Sequence, residues 1–196
     1  MERILNLSGI EHEIKKNQSI VIPIGKRLFI QSGYLVECFN EQWLRFIGPR
    51  TVTKVCSLPH ITYLGIAKKN KLIEMEQTML TDKLHEWDCV NDHSDTRETI
   101  DLIAQNYYAR HFPANKRAII FWKNIAEDIG IHQGEDCVVP NILIQNNIAD
   151  CLGISREYLN SIQQSFTKKN MMSKENGKII LKNWSCWCRM YQEIFR

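Results

Sequence analysis

Apolar and polar positions follow two different rhythms along this chain. From residue 18 to 66, QSIVIPIG, KRLFIQSG, YLVECFNEQWLRFIG and TVTKVCS are short β-branched or aromatic runs. Pro23-Ile24-Gly25, Ser32-Gly33, Asn40-Glu41 and Gly48-Pro49 interrupt them. Short strands separated by such turn residues at about 8–12-residue intervals predict a small antiparallel barrel or sandwich. His60 to Ala67 (HITYLGIA) reads as a further strand. From Lys71 the rhythm changes: Leu72, Met75, Met79 and Leu84 recur at near-helical intervals and predict a helix.

The polar segment Asp88 to Thr96 (DCVNDHSDT) is a break before a new element, with Ser94 or Asp95 as helix cap and Glu98 in the first turn. Ile100, Ile103, Ala104, Tyr107 and Tyr108 fall on one stripe of that helix. The stripe suits a partner chain, and packing on the chain's own barrel would explain it equally well. Phe112-Pro113 ends the helix, because a residue before proline is biased away from α. A second helix is expected from Ala114 to Gly130, burying Ile119, Ile120, Trp122, Ile125, Ala126 and Ile129, with Gly130 at its C-terminal end. Residues 131–140 read as a loop with a short strand at Cys137-Val138-Val139. The expected organisation is a small antiparallel β domain over 1–92, a connecting helix over 93–112 and a third module over 113–196, an α+β fold.

That third module holds the most specific pattern. Residues 145–164 (QNNIADCLGISREYLNSIQQ) read as helix-turn-helix. Ile148 and Leu152 share a face of the first helix. Ala149 leaves room for the second helix to cross. Gly153 takes the turn, where a left-handed backbone is easiest for glycine, and Ile154 covers the corner. Ser155 caps the second helix, with Glu157 in its first turn. Leu159, Ile162 and Phe166 face inward, leaving Arg156, Glu157, Asn160, Ser161 and Gln164 outward. These side chains suit base edges and phosphates. Met171-Met172-Ser173 and Lys178-Ile179-Ile180-Leu181 then read as two strands joined through Asn176-Gly177, a strong hairpin signal. A helix-turn-helix followed by a hairpin is a winged helix. Lys174 and Lys178 at the hairpin tip are placed to meet a DNA backbone. The candidate DNA-binding set is therefore Ser155, Arg156, Glu157, Asn160, Ser161, Gln164, Lys174 and Lys178.

Charge sharpens this picture. The net charge is only +3, but residues 1–112 balance 14 basic against 14 acidic side chains, while 113–196 carry 11 against 8. Within 141–182, Arg156, Lys168, Lys169, Lys174, Lys178 and Lys182 face only Asp150, Glu157 and Glu175. A basic stretch beside a neutral half fits a phosphate-contacting module. Hydrophobic residues at 44 % and charged residues at 24 % exclude wholesale disorder. No apolar run approaches the ~18 residues of a membrane helix. The start, MERILNLSGIEHEIKK, lacks a signal-peptide pattern, so a cytoplasmic protein with no membrane partner is expected.

The seven cysteines (Cys38, Cys56, Cys89, Cys137, Cys151, Cys186, Cys188) include no CxxC pair, so neither a disulfide framework nor a four-cysteine zinc site is expected. Cys186-Trp187-Cys188 is the one close pair, and its expected role is structural. His85, Cys89 and His93 stand four apart but cross a turn-rich segment. No phosphate loop, nucleophile elbow or HExxH is present. The expectation is a non-enzyme with no cofactor and no metal.

Over residues 141–182 the sequence resembles the CRP/FNR superfamily of bacterial transcription regulators, most specifically in Ser155-Arg156-Glu157 and the wing ending in Gly177-Lys178-x-Ile180. The resemblance implies that Arg156 and Glu157 contact bases in the major groove. Ser161 departs from the family position that is often basic. Phe112-Pro113-x3-Arg117-x2-Ile120 is similar to the family's junction after its dimer helix. The resemblance also implies an N-terminal β-roll, a homodimer, double-stranded DNA as partner and RNA polymerase as a further one. The family's cyclic-nucleotide cassette has only a partial match in Phe46-Ile47-Gly48-Pro49-Arg50-Thr51. That stretch lacks the Glu, and Pro49 removes an amide N–H. Cyclic-nucleotide binding is therefore not expected. Nor is the family's iron–sulfur sensor, because no cysteine precedes Cys38. Two other readings are a ligand- or thiol-redox-gated version of the same regulator, with Cys38, Cys56 or Cys89 as sensor, and a protein-interaction adaptor using the winged domain.

Overall fold

The computed structural model describes residues 9–53, 58–76 and 96–196. The chain forms two compact units, Met1–Asp101 and Leu102–Arg196. Among its described residues the first holds seven strands: β1 (Ile10–Lys15), β2 (Ser19–Ile20), β3 (Lys26–Ser32), β4 (Leu35–Phe39), β5 (Gln42–Ile47), β6 (Ile61–Gly65) and β7 (Lys69–Glu76). They make two antiparallel sheets, ordered β1-β7-β3 and β2-β6-β4-β5. The β4–β5 turn places both Asn40 (φ 46°) and Glu41 (φ 66°) in the left-handed region, as a tight hairpin turn requires.

One buried polar residue ties the roll together. Asn70 has no solvent exposure. Its Nδ2 donates to the carbonyls of Ile14 and Ala67, each at 3.1 Å, and its Oδ1 accepts from the Tyr34 amide at 2.9 Å. Gly33 and Gly65 flank it, and a Cβ on either would stand within 2.7 Å of the Asn70 side chain.

Two expectations fail here. The helix expected from Lys71 is β7 as far as Glu76; Met79 and Leu84 lie outside the described residues. β7 is the middle strand of its sheet, and Leu72, Ile73, Glu74 and Met75 are all buried. A strand covered on both faces loses its two-residue alternation, and chance three-residue spacings then resemble a helix. The strand expected at TVTKVCS is a single bridge from Val52 to Phe29, while 54–57 lie outside the described residues. Also outside are most of the 88–96 break, the Ser94 and Asp95 caps, Cys56, and the His85, Cys89, His93 set. β1 was not anticipated: IEHEIK alternates only weakly and carries four ionisable side chains.

The helix α1 (Thr96–Ala109) carries Glu98 in its first turn and runs across the boundary of the two units. In the second unit come α2 (Ala114–Ile129), β8 (Ile131–Gln133), β9 (Asp136–Pro140), α3 (Gln145–Leu152), α4 (Arg156–Lys168), β10 (Met172–Glu175), β11 (Lys178–Leu181) and α5 (Trp184–Ile194). α2 buries Ile120, Trp122, Ile125 and Ala126 as expected, and Ala118 and Phe121 as well. Ile119 and Ile129 are half-buried. Gly130 ends the helix in extended conformation (φ −75°), so left-handed freedom is not its reason. A Cβ there would collide with the Ala126 carbonyl and approach the Cys137 Sγ to 2.5 Å.

The short strand expected at Cys137-Val138-Val139 is β9; the loop expected before it is instead β8, and the two pair as a hairpin. β9 pairs with β11, giving a four-stranded antiparallel sheet ordered β10-β11-β9-β8. α5 was not read from sequence, although its signals are present. Asn183 Oδ1 accepts from the Cys186 amide at 3.3 Å as N-cap, and Trp187 and Ile194 sit on the buried side. Trp187 is fully buried, stacks edge-on against Phe166 at 5.3 Å, and donates its indole N–H to the Met171 carbonyl at 3.3 Å. α5 therefore braces the C-terminal end of α4. No described helix is long and apolar enough to cross a membrane.

Candidate nucleic-acid interface

The α3–turn–α4 corner forms from strictly local instructions. Ile148, Ala149 and Leu152 are buried on α3, and Leu159, Ile162 and Phe166 on α4. Gly153 adopts φ 61°, ψ 44°. Its amide donates to the Asp150 carbonyl at 3.0 Å and the Ile154 amide to the Ala149 carbonyl at 3.0 Å. This left-handed termination satisfies the last carbonyls of α3. Ser155 then caps α4, its Oγ accepting from the Tyr158 amide at 3.1 Å.

The opposite side of α4 is open. Ser155, Arg156, Glu157, Asn160, Ser161 and Gln164 are all exposed. Tyr158, which the sequence reading passed over, is 52 % exposed beside them. The Glu157 amide, and next the Ser155 hydroxyl, hold the Glu157 carboxyl below its ordinary range. Glu157 is therefore an ionised acceptor at neutral pH.

β10 and β11 form a hairpin in the expected place, with Asn176 (φ 49°) and Gly177 (φ 70°) both left-handed in its turn. Lys174 and Lys178 are exposed near its tip. Between this hairpin and α4 runs a groove of about 500 Å³. It brings Asn160, Gln164 and Lys174 of the candidate set together with Gln145, Gln163 and Lys168. Ser155, Arg156, Glu157, Ser161 and Lys178 lie outside it. Gln145 and Gln163 escaped the sequence reading because neither belongs to the outward arc of α4; only a hairpin folded against α4 makes them neighbours. Of the remaining basic residues, Lys182 is held by Asp136 at 3.4 Å.

The junction before α2 is also built from side chains. Arg117 Nη1 donates to the Phe112 carbonyl at 2.9 Å and to the Arg110 carbonyl at 3.4 Å, closing the chain that leaves α1. Ile100, Tyr107 and Tyr108 of α1 are 50 %, 63 % and 59 % exposed. In the first unit, Arg50 is exposed and its amide donates to the Ile30 carbonyl at 2.7 Å, while Ile30 donates back to Thr51 at 2.9 Å. Among the described residues no group of three or more His, Cys, Asp or Glu could hold a metal.

The sequence matches no protein-family model and no curated protein. Solved structures do share the fold. FixK2 from Bradyrhizobium japonicum matches with TM-score 0.62 at 14 % identity, over 94 % of this chain and 98 % of that one. A CooA variant from Carboxydothermus hydrogenoformans matches with TM-score 0.61 at 14 % identity, over 93 % and 88 %. A cyclic nucleotide-binding domain containing protein from Listeria monocytogenes matches with TM-score 0.60 at 16 % identity, over 90 % of each chain. These neighbours are CRP/FNR-type regulators. At such identities the likeness is one of fold.

Proposed function

We propose that the chain is a sequence-specific regulator of transcription that binds double-stranded DNA through a winged helix-turn-helix within 113–196, with α4 in the major groove. The observation that carries this reading is the division of α4: one face buried, the other presenting Arg156, Glu157, Asn160, Ser161 and Gln164 to solvent. Arg156 at the first helical position suits a bidentate pair with guanine O6 and N7. The ionised Glu157 suits acceptance from cytosine N4. The groove toward the hairpin, lined by amides and by Lys168 and Lys174, offers donors to a phosphate backbone.

α1 acts as the homodimer helix through Ile100, Tyr107 and Tyr108, in a chain divided as 1–92, 93–112 and 113–196. Contact with RNA polymerase belongs to the same proposal. The regulator works in the cytoplasm without cyclic nucleotide. In support, the Arg50 amide is already engaged by Ile30, and the stretch supplies no Glu.

The test is binding to a selected operator against a scrambled duplex across a salt series. Arg156→Ala is expected to lose about 1–3 kcal/mol of discrimination at one base position. Lys174→Ala is expected to weaken binding to every sequence and to reduce the salt slope by about 0.9. No salt-dependent binding to any duplex would reject the reading in favour of a protein-interaction adaptor.

A further inference from the structure

α4 has a second groove, on the flank away from the hairpin. It is about 240 Å³, and its walls include half-buried Ile119 of α2, Met171 just after α4 and Met190 of α5. Its rim carries Ser161, Ser165 and Lys169, all from α4 or its end and all exposed. Among the described residues no carboxylate lines it. Three features define what would fit. The volume is below the ~300 Å³ at which drug-sized pockets begin, which favours a compact molecule over a partner helix. Two methionines give an apolar wall that adapts to varied shapes. Among the described residues the one charged lining group is the cation of Lys169, with the hydroxyls of Ser165 and Ser161 about one and two helical turns before it.

We propose that this groove binds a small amphipathic anion, a carboxylate or sulfonate whose apolar body lies on Met171 and Met190 and whose charged head lies at Lys169 and Ser165. Ser161 stands both on this rim and on the outward arc of α4. An anion held there sets negative charge beside the surface assigned to DNA, so occupant and DNA oppose each other, each weakening the other by the same factor. This coupling rests on the DNA-binding reading; the binding site itself does not.

The experiment uses the full chain with 13C-labelled methionine methyls and naphthalene-1-sulfonate as probe. The Met171 and Met190 methyls are expected to shift saturably, while Met75 in the other unit stays still. Ser165→Phe fills the groove and is expected to abolish the shifts; an unchanged circular dichroism spectrum and a dispersed methyl signal from Met172, buried in the same unit, show that the variant folds. Lys169→Gln is expected to weaken the sulfonate about fivefold and to leave neutral naphthalene-1-sulfonamide unchanged. Silent Met171 and Met190 methyls up to the solubility of the probe overturn the site, as do shifts that survive Ser165→Phe. Equal weakening of sulfonate and sulfonamide overturns the anion preference. Duplex affinity unchanged under saturating sulfonate overturns the coupling alone.

Discussion

Ser155 joins the fold to the proposed DNA contact at a single residue. Its hydroxyl accepts the Tyr158 amide and helps hold the Glu157 carboxyl ionised. Ser155→Ala is expected to cost about 1 kcal/mol of stability, read by chemical denaturation. The carboxyl of Glu157 in the folded chain sits below its ordinary value, so the stabilisation is complete above the unfolded value and fades as pH falls through the folded one. The penalty of Ser155→Ala is therefore expected to shrink in strongly acidic buffer; a penalty that grew there would contradict the arrangement. Arg156 differs in kind. It is exposed, and Arg156→Ala should leave the melting temperature unchanged while altering base preference.

Among the elements, α3, α4 and the β10–β11 hairpin were readable because their signals are local: an apolar face, a capping serine, a left-handed glycine, an Asn-Gly turn. β7 was not, because its burial on both faces is decided by strands distant in sequence. β8 escaped for a related reason: Ile131–Gln133 is exposed throughout and is ordered only by its pairing with β9, whose own apolar run at Cys137-Val138-Val139 is legible. The site shows the same limit: the outward arc of α4 follows from helical period alone, but the groove residues Gln145 and Gln163 require the hairpin to be folded against the helix. Two glycines separate these kinds of information. Gly153 is needed for φ 61°, and a Cβ there would meet nothing within 4 Å. Gly153→Ala should cost about 1–2 kcal/mol, all of it backbone strain. Gly130 has an ordinary φ, but a Cβ would strike the Ala126 carbonyl and the Cys137 sulfur. Gly130→Ala should cost more, and Cys137→Ala should recover part of the loss while Gly153→Ala gains nothing from it. A double-mutant cycle in urea reads that difference directly.

For the whole molecule, the proposal stands or falls on whether two copies bind together. One recognition helix offers few base contacts. Two copies joined rigidly make the second half-site contact intramolecular, which raises affinity by ~10²–10⁴ without any new contact. Recognition helices on a two-fold dimer then meet half-sites about 34 Å apart. The apolar stripe of α1 is the candidate seam, because Ile100, Tyr107 and Tyr108 are large, apolar and at least half exposed, and charge placed there has no partner across a two-fold axis. Tyr107→Glu together with Ile100→Glu puts four carboxylates into a dimer seam but only two, both solvated, onto a lone chain. The expected outcome is a monomer by sedimentation equilibrium with an unchanged circular dichroism spectrum. Its affinity for a palindromic duplex should fall by ~10²-fold or more, while that for a single half-site stays as it was. If the double variant remained a dimer, or if it lost half-site binding in equal measure, α1 would be a strut rather than a seam. The pairing of recognition helices would then have to come from another surface of the chain.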